Sequence, residues 1–222
     1  FEDNRAEREY VAECYDDVAA VESATDIVVA EGAAVSNVNA QLTQLSVLQG
    51  QVTNASGDPL PGISVSAQRY VDLGIDGGRW DSAGYMQTDS NGQYRLTGLY
   101  AGSYRLRFED YGGSYQAEWY DNQGYEATAT TFTVPAETTL TGINAQLATE
   151  PFSWPPYAHN DSVTVVEGAD SNLLTDGGNS VLNNDLNDSG NPLQATVVSA
   201  PQHGTLTLNL DGSFTYDHDG SE

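Results

Sequence analysis

The chain contains no lysine. Among its 222 residues, all seven basic residues are arginine and 32 are Asp or Glu, which leaves a net charge of −25. Nucleic-acid binding is excluded, because seven cations among so many acids cannot form the basic patch that neutralises phosphates. The same deficit argues against docking on anionic lipid. Schiff-base and P-loop chemistry are excluded because both need a lysine.

Cysteine and long apolar runs are also scarce. Cys14 is the only cysteine, so the chain can form no internal disulfide. No apolar run approaches the roughly 20 residues of a membrane-spanning helix, so we expect no membrane insertion by this segment. Hydrophobic residues still make up 39% of the chain, which predicts packed cores rather than a disordered acidic segment.

A repeat with a period of 105 residues is the most informative feature of the sequence. Residues 13–16 (Glu-Cys-Tyr-Asp) recur as 118–121 (Glu-Trp-Tyr-Asp), and residues 38–42 (Val-Asn-Ala-Gln-Leu) recur as 143–147 (Ile-Asn-Ala-Gln-Leu). The period is that of a whole domain rather than a short solenoid unit. The N-terminal residues therefore correspond to the last part of a copy whose complete version follows.

Strand patterns fill the complete copy. Ile63, Val65 and Ala67 alternate with polar residues, and residues 104–109 alternate in the same way. This period of two is typical of half-buried antiparallel strands, and turn clusters separate the runs. The sequence therefore predicts an all-β fold of tandem antiparallel β-sandwich domains, incomplete at both ends.

A Pro-rich linker and a change of composition divide the chain further. Residues 150–157 include Pro155-Pro156, which favours extended geometry, and no arginine follows them. The predicted segments are the C-terminal part of one sandwich (1–48), a complete sandwich (49–149), the linker (150–157) and the N-terminal part of a different sandwich (158–222).

The complete copy resembles a carboxypeptidase-regulatory-like domain. The motifs that carry the resemblance are residues 49–53 (Gln-Gly-Gln-Val-Thr), 57–65 (Gly-Asp-Pro-Leu-Pro-Gly-Ile-Ser-Val), 88–96 (Thr-Asp-Ser-Asn-Gly-Gln-Tyr-Arg-Leu) and 102–104 (Gly-Ser-Tyr). The resemblance implies a transthyretin-like or prealbumin-like β-sandwich without catalytic activity, of a kind found repeatedly in secreted and cell-surface bacterial proteins. Residues 1–48 resemble the C-terminal half of a second copy.

The last segment resembles a bacterial cadherin-like, immunoglobulin-like repeat of large surface adhesins. Its motifs are residues 158–161 (Ala-His-Asn-Asp), 166–168 (Val-Glu-Gly), 181–185 (Val-Leu-Asn-Asn-Asp), 201–207 (Pro-Gln-His-Gly-Thr-Leu-Thr) and 211–216 (Asp-Gly-Ser-Phe-Thr-Tyr). The resemblance implies a sandwich that often binds calcium and is strung into extracellular stalks.

Calcium is the one ligand that the residues suggest directly, because Ca²⁺ takes about six to eight oxygens. The candidate ligands supply side-chain oxygens near the expected linker end of the last segment: Asn160, Asp161, Glu167, Asn184, Asp185 and Asp188. The alternative is that these residues only form Asx-turns.

Other candidates have a structural alternative that we favour. Asp72, Asp76 and Asp81 lie with Trp80 and Tyr85 in a Gly-rich stretch that is either a metal-binding or sugar-contacting loop or a long hairpin whose Trp80 packs on the sandwich. Cys14 occupies the position of Trp119 in the repeat, which predicts burial rather than an intermolecular disulfide. The arginines at 95, 105 and 107 are expected on a solvated outer face, with an interface clasp as the alternative.

The sequence thus predicts a non-enzymatic structural or adhesive module of a large, repetitive extracellular bacterial protein, rigidified by calcium. Its expected partners are neighbouring repeats or subunits of the same protein, and a surface glycan or protein receptor. Each incomplete end is expected to be a cut from a longer chain or to be completed by a neighbouring subunit. The alternative function is an accessory or carbohydrate-binding region of a secreted modular hydrolase.

Overall fold

The computed structural model describes residues 1–5 and 7–221. Ala6 and Glu222, which fall in the predicted segments 1–48 and 158–222, lie outside the described residues, as does the side chain of Asp76. The chain divides into two compact units, Phe1–Phe152 and Ser153–Glu222. Helix in the described residues is limited to three-residue 3₁₀ turns, and strands dominate, which confirms the predicted all-β class.

Unit one is a two-sheet sandwich. Its strands within the described residues are β1 (Ser46–Asn54), β2 (Ser64–Asp72), β3 (Gly78–Gln87), β4 (Gln93–Leu99), β5 (Gly102–Glu109), β6 (Glu118–Trp119), β7 (Phe132–Val134), β8 (Thr139–Leu140) and β9 (Ala145–Leu147). One sheet has the order β4-β1-β8, and β9 also pairs with β1. The other sheet has the order β3-β2-β5-β6, and β7 also pairs with β5.

Not every pairing in the sandwich is antiparallel. β1 pairs antiparallel with β4 but parallel with both β8 and β9. The first strand of the domain is therefore hydrogen-bonded along one edge to two of its last strands. Parallel neighbours require a long crossover, and here the whole second sheet lies between them in the sequence.

Buried side chains from both sheets form one hydrophobic cluster. Val52 of β1, Val65 of β2 and Leu106 of β5 are fully buried within it, and Leu147 of β9 completes it from the end of the domain. The predicted core positions are confirmed, since Ile63, Val65 and Ala67 are all buried, and the intervening Ser64 is buried as well. Burying a side chain of this size stabilises the fold by roughly 1.5–3 kcal/mol.

The loop between β1 and β2 shows how the sequence sets a turn. The side-chain Oδ1 of Asn54 accepts hydrogen bonds from the backbone N–H groups of Ser56 and Asp58, both at 2.9 Å. Gly57 has a φ of 87°, which a residue with a Cβ rarely adopts. The predicted turn at 57–59 therefore forms where the Asx and Gly residues stand.

Residues 9–45 contain little regular strand, but their contacts repeat those of residues 114–150. In both segments an isolated bridge joins the two ends, a second bridge closes a tight turn, and a 3₁₀ turn follows. The equivalent features, each 105 residues apart, are Tyr10–Gln44 and Tyr115–Thr149, Cys14–Val18 and Trp119–Gln123, and Val21–Ser23 and Glu126–Thr128.

The backbone of the tight turn is also repeated. Asp16 and Asp17 have φ values of 74° and 59°, and the equivalent Asp121 and Asn122 have 68° and 56°. A left-handed backbone is uncommon for residues other than glycine, and Asp and Asn tolerate it best. The sequence repeat is therefore a repeat of structure.

Unit two contains a small antiparallel sheet. Its strands in the described residues are β10 (Asp170–Ser171), β11 (Thr205–Leu208) and β12 (Phe214–Asp217), in the order β10-β12-β11. Leu208 of β11 pairs with Phe214 of β12 across the turn of a hairpin. Phe214 and Leu174 are the buried hydrophobic side chains of this unit.

Candidate functional site

Three of the six predicted calcium ligands line one cleft in unit two. Asn160, Asp161 and Asn184 border a space of about 280 Å³, together with Thr175 and Asp176. The Nδ2 group of Asn184 donates a hydrogen bond to Oδ1 of Asp161 at 3.1 Å. This contact joins two segments that lie 23 residues apart in the sequence.

The other three predicted ligands do not line this cleft. Oδ1 of Asp185 accepts the backbone N–H of His159 at 2.8 Å. Oδ2 of Asp188 accepts the backbone N–H of Trp154 at 3.1 Å. Glu167 lies in an exposed turn before β10. Backbone donors thus occupy oxygens on two of the predicted ligands.

Few of the side-chain oxygens that line the cleft belong to carboxylates. Its two carboxylates are those of Asp161 and Asp176, and one Asp161 oxygen already accepts a hydrogen bond. Across residues 1–5 and 7–221, no group of three or more His, Cys, Asp or Glu side chains is arranged to hold a metal ion. Calcium binding stays a prediction, and the cleft at Asp161 is where it can be tested.

The Gly-rich stretch forms the connection and second arm of the β2–β3 hairpin in unit one. Trp80 packs edge-on against Tyr70, with 5.3 Å between the ring centroids. Asp81 accepts a hydrogen bond from Nε of Arg79 at 2.7 Å, which holds the pKa of that carboxyl below its usual range. The interpretation as a hairpin whose Trp80 packs on the sandwich is confirmed.

The guanidinium of Arg105 lies between two indole rings. Its Cζ is 4.6 Å from the ring centroid of Trp80 and 4.7 Å from that of Trp119. Nε donates to Oε1 of Gln68 at 2.7 Å, and Nη2 forms an ion pair with Glu126. The Arg105 side chain is only 8% exposed. The prediction of a solvated outer face is therefore wrong for this residue, because two tryptophans cover it.

Arg95 joins β4 to the N-terminal segment. Its Nη1 pairs with Oε2 of Glu7 at 2.9 Å, and its Nη2 pairs with Glu9. The residues 105 positions later are Gly112 and Ser114, which carry no charge. We call the three-residue contact of Arg95 with Glu7 and Glu9 the Arg95 clasp, and it favours the alternative that the sequence left open for this arginine.

Glu118 is a buried carboxylic acid in the second sheet. Its Oε1 atom has no hydrogen-bond partner among the described residues. Burial raises the pKa of Glu118 to about 7, and a backbone hydrogen bond from Gln146 opposes the rise. Cys14 is the equivalent of Trp119 in the repeat. It is a free thiol and is half-buried, so its predicted burial holds only in part.

Sequence reasoning assigned Arg105 to the wrong environment and did not single out Glu118. Arg105 lies on β5, whose alternation assigns it to the outer face, where charged residues are ordinarily solvated, whereas Glu118 lies on the two-residue strand β6 opposite the core residue Phe108. The one signal available was the Glu shared by positions 13 and 118 of the repeat, which marks an acid at the same place in two copies.

Family comparisons divide the chain in the same order. The model of the family described as carboxypeptidase regulatory-like domain matches residues 47–148, and that described as bacterial Ig domain matches residues 153–222. Residues 47–148 are thus similar to the first family and residues 153–222 to the second, and we refer to them as the carboxypeptidase regulatory-like domain and the bacterial Ig domain. A carboxypeptidase regulatory-like domain and a bacterial Ig domain together indicate a module of structural or adhesive type. No curated protein matches the chain.

Several solved structures are similar to part of this chain at low identity. Transthyretin from Sparus aurata is 17% identical, with 46% of this chain and 92% of that chain covered and a TM-score of 0.30. The C-terminal domain of the shaft pilin spaA from Lactobacillus rhamnosus GG is 12% identical, with 48% and 98% covered and a TM-score of 0.31.

A catechol 1,2-dioxygenase from Pseudomonas arvilla C-1 is 14% identical, with 50% of this chain covered and a TM-score of 0.32. This chain spans about half (54%) of the length of that enzyme. TM-scores of this size support no functional conclusion from any of the three similarities. The described residues contain no helix with the length and apolar character needed to cross a membrane.

Proposed function

We propose that this chain is a non-enzymatic structural and adhesive segment of a large, repetitive protein on the bacterial cell surface, such as an adhesin stalk or a surface filament. The observation that carries the proposal is the structural repeat at an interval of 105 residues. Tandem copies of one domain followed by a domain of another family are the arrangement of a protein built by repetition.

The junction between the two copies supports a rigid array. Backbone hydrogen bonds hold the end of the first segment, since the N–H of Val11 donates to the carbonyl of Thr43 at 2.9 Å. β1 begins at Ser46, only three residues later, so no flexible linker separates the copies. The Arg95 clasp adds two ion pairs between residues of the earlier segment and β4 of the next domain. The partners of this domain are therefore neighbouring repeats of the same protein.

The acidity of the chain fits a location outside the cell. A net charge of −25 spread over 222 residues keeps neighbouring chains soluble and mutually repelling. Calcium would offset this repulsion, and the cleft at Asp161 in the bacterial Ig domain is the proposed place of binding. The side chains of Asn160, Asp161 and Asn184 would contribute oxygens there.

Surface labelling tests the proposal. An antibody raised against residues 49–149 should label intact cells of the producing bacterium without permeabilisation. Brief protease treatment of intact cells should remove the label, while a cytoplasmic marker protein stays intact. Labelling that requires permeabilisation would contradict the proposed location and with it the proposed function.

A further inference from the structure

A cleft of about 470 Å³ lies on the carboxypeptidase regulatory-like domain, within the range of known ligand pockets of about 300–1,000 Å³. It is unusual in its lining, which is rich in side-chain amides. We call these five residues the amide groove: Gln49, Gln51, Gln87, Gln93 and Asn144.

The register of β1 and β4 explains why amides gather on one face. Gln51 lies opposite Gln93, and Gln49 lies opposite Arg95. Residues directly opposite each other in an antiparallel pair point to the same side of the sheet. Tyr94, between Gln93 and Arg95, is buried in the core instead. The groove is therefore the outer face of this sheet.

Much of the hydrogen-bonding capacity of the groove is unused. The amides of Gln49, Gln87 and Gln93 form no hydrogen bond to another described residue, and each offers two N–H donors and one carbonyl acceptor. Gln51 and Asn144, by contrast, are held by hydrogen bonds within the domain. The groove therefore combines amides that are held by hydrogen bonds within the domain with amides whose donors and acceptors are available to a ligand.

A second cleft of about 310 Å³ adjoins the amide groove, since Met86 and Arg95 line both. Tyr85 lines this second cleft and is 77% exposed. An aromatic ring presents an apolar face to a ligand at little cost in conformational entropy. A sugar matches the combination, because its C–H face packs on an aromatic ring while its hydroxyls exchange hydrogen bonds with amides.

The charges around the groove select an uncharged ligand. The guanidinium of Arg95 is balanced by Glu7 and Glu9, and the carboxylate of Asp89 lines the same cleft. An anionic sugar would therefore meet the carboxylate of Asp89 in the amide groove, where Arg95 is already paired, although Arg8 lines the second cleft beside Tyr85.

We infer that the carboxypeptidase regulatory-like domain binds an uncharged oligosaccharide along the amide groove, with Tyr85 as a stacking platform. A peptide fits less well, because peptides that add to sheets pair with exposed backbone groups at an edge. The amide groove lies on the face of the β1–β4 pair, whereas the place where a peptide would add is the outer edge of β4, the end strand of its sheet. The inference rests on the proposed function and deepens its adhesive part by naming the chemistry of the partner.

The test is an array of neutral, sialylated and sulfated glycans probed with the full chain, followed by calorimetry on the strongest neutral ligand. Two variants remove groove contacts, Q49A/Q93A and Y85A. Each has a matched control outside both clefts: Q146A removes an exposed amide on β9, and Y111A removes a tyrosine that is also 77% exposed. Thermal melting of all four checks that each variant folds.

We expect neutral glycans to bind and each groove variant to lose affinity by roughly tenfold or more, while Q146A and Y111A bind as the parent chain does. No binding of neutral glycans, preference for a peptide on a parallel peptide array, or equal loss in groove variants and controls would overturn the inference. A chain that labels intact cells but binds no glycan leaves the proposed location standing and overturns only the glycan site. A chain confined to the cell interior overturns the proposed function itself.

Discussion

Glu13 and Glu118 each bury one carboxylate oxygen, Oε1, without a hydrogen-bond partner, at positions 105 residues apart in the repeat. A buried, unpaired carboxylate is costly, so an ordinary core would not keep one. An acid with one buried oxygen therefore recurs at the same place in both copies. For Glu118 the consequence can be measured.

Stability should fall as pH rises through the neutral range. Burial raises the pKa of Glu118 from its ordinary 4.5 to about 7. The folded state then holds a proton that the unfolded state releases above about pH 4.5, so stability declines between pH 4.5 and 7 and the loss is complete above that. The change amounts to about 3 kcal/mol. E118Q should flatten this part of the profile in urea denaturation at pH 5, 6, 7 and 8.

E31Q, a change of an exposed acid, is the matched control and should leave the slope of the profile unchanged. If E118Q and the parent chain lose stability in parallel from pH 5 to pH 8, the buried carboxyl of Glu118 is not the group responsible.

The Arg105 side chain, which lies between Trp80 and Trp119, should contribute more to the stability of the fold than the more exposed side chain of Arg107. R105M removes both cation–π contacts and leaves Gln68 and Glu126 unpaired, so we expect a loss of about 2–3 kcal/mol in the free energy of unfolding. R107M, two residues along the same strand, removes only an ion pair with Glu109 and should cost less than about 1 kcal/mol.

Urea denaturation followed by tryptophan fluorescence measures both variants. The emission of the folded protein should also shift in R105M, because Trp80 and Trp119 lose the charge between them, and should stay unchanged in R107M. Similar losses for the two arginines would show that the stack contributes nothing beyond a surface ion pair.

The Arg95 clasp should hold the N-terminal segment against the complete domain. E7Q/E9Q removes both ion pairs, together with the pair of Glu9 with Arg5. We expect faster hydrogen exchange in residues 7–15 without a change in the strands of the sandwich. High salt should bring the parent chain toward the variant, since partly exposed ion pairs are screened. E2Q/E31Q changes two exposed acids outside the clasp and serves as the control. Unchanged exchange at residues 7–15 in E7Q/E9Q would rule out the clasp.

Gly50 of β1 packs closely against the backbone of the loop between β8 and β9. A Cβ at this position would overlap the carbonyl of Ile143 and the ring of Tyr94. We expect G50A to cost about 3 kcal/mol or more, because backbone cannot yield as a flexible side chain can. G62A, in open space at a φ of 78°, should cost about 1 kcal/mol from the left-handed backbone alone. Thermal melting of the two variants compares them, and equal costs would contradict the close packing at Gly50.

Calcium is predicted to stabilise the bacterial Ig domain. The full chain should be melted with about 5 mM calcium and, separately, with EGTA. We expect calcium to raise the melting temperature of one transition only, by ~10 °C at saturation. D161N should abolish the effect, while D219N, an acid outside the six predicted ligands, should keep it. Identical melting in calcium and EGTA would end the prediction.

The sequence predicted the class of fold because strand alternation and turn residues are local signals. Ile63, Val65 and Ala67 could be assigned to a core face from their spacing alone, and the repeat of Glu13 to Asp16 could be read from its letters. The shared left-handed turn at Asp16 and Asp121 follows from the same residues.

The sites could not be predicted in the same way, because each depends on register between distant strands. Arg105 was assigned to a solvated face, but Trp80 from the β2–β3 hairpin and Trp119 from β6 together bury it. Gln49 and Gln93 are separated by 44 positions, and their common face exists only through the pairing of β1 with β4. Of the six predicted calcium ligands, Asn160, Asp161 and Asn184 line one cleft, and the spacing in the sequence could not separate them from the other three.

The parallel pairing of β1 with β9 has a mechanical consequence. Tension along the chain pulls β1 from its N-terminal end and β9 from its C-terminal end, so the two strands are drawn past each other lengthwise. The hydrogen bonds from Val52 to Asn54 then carry the load together and must break together. An antiparallel hairpin, pulled at its open end, would give way one bond at a time. A domain of this topology is suited to transmitting tension along a repeated chain without opening.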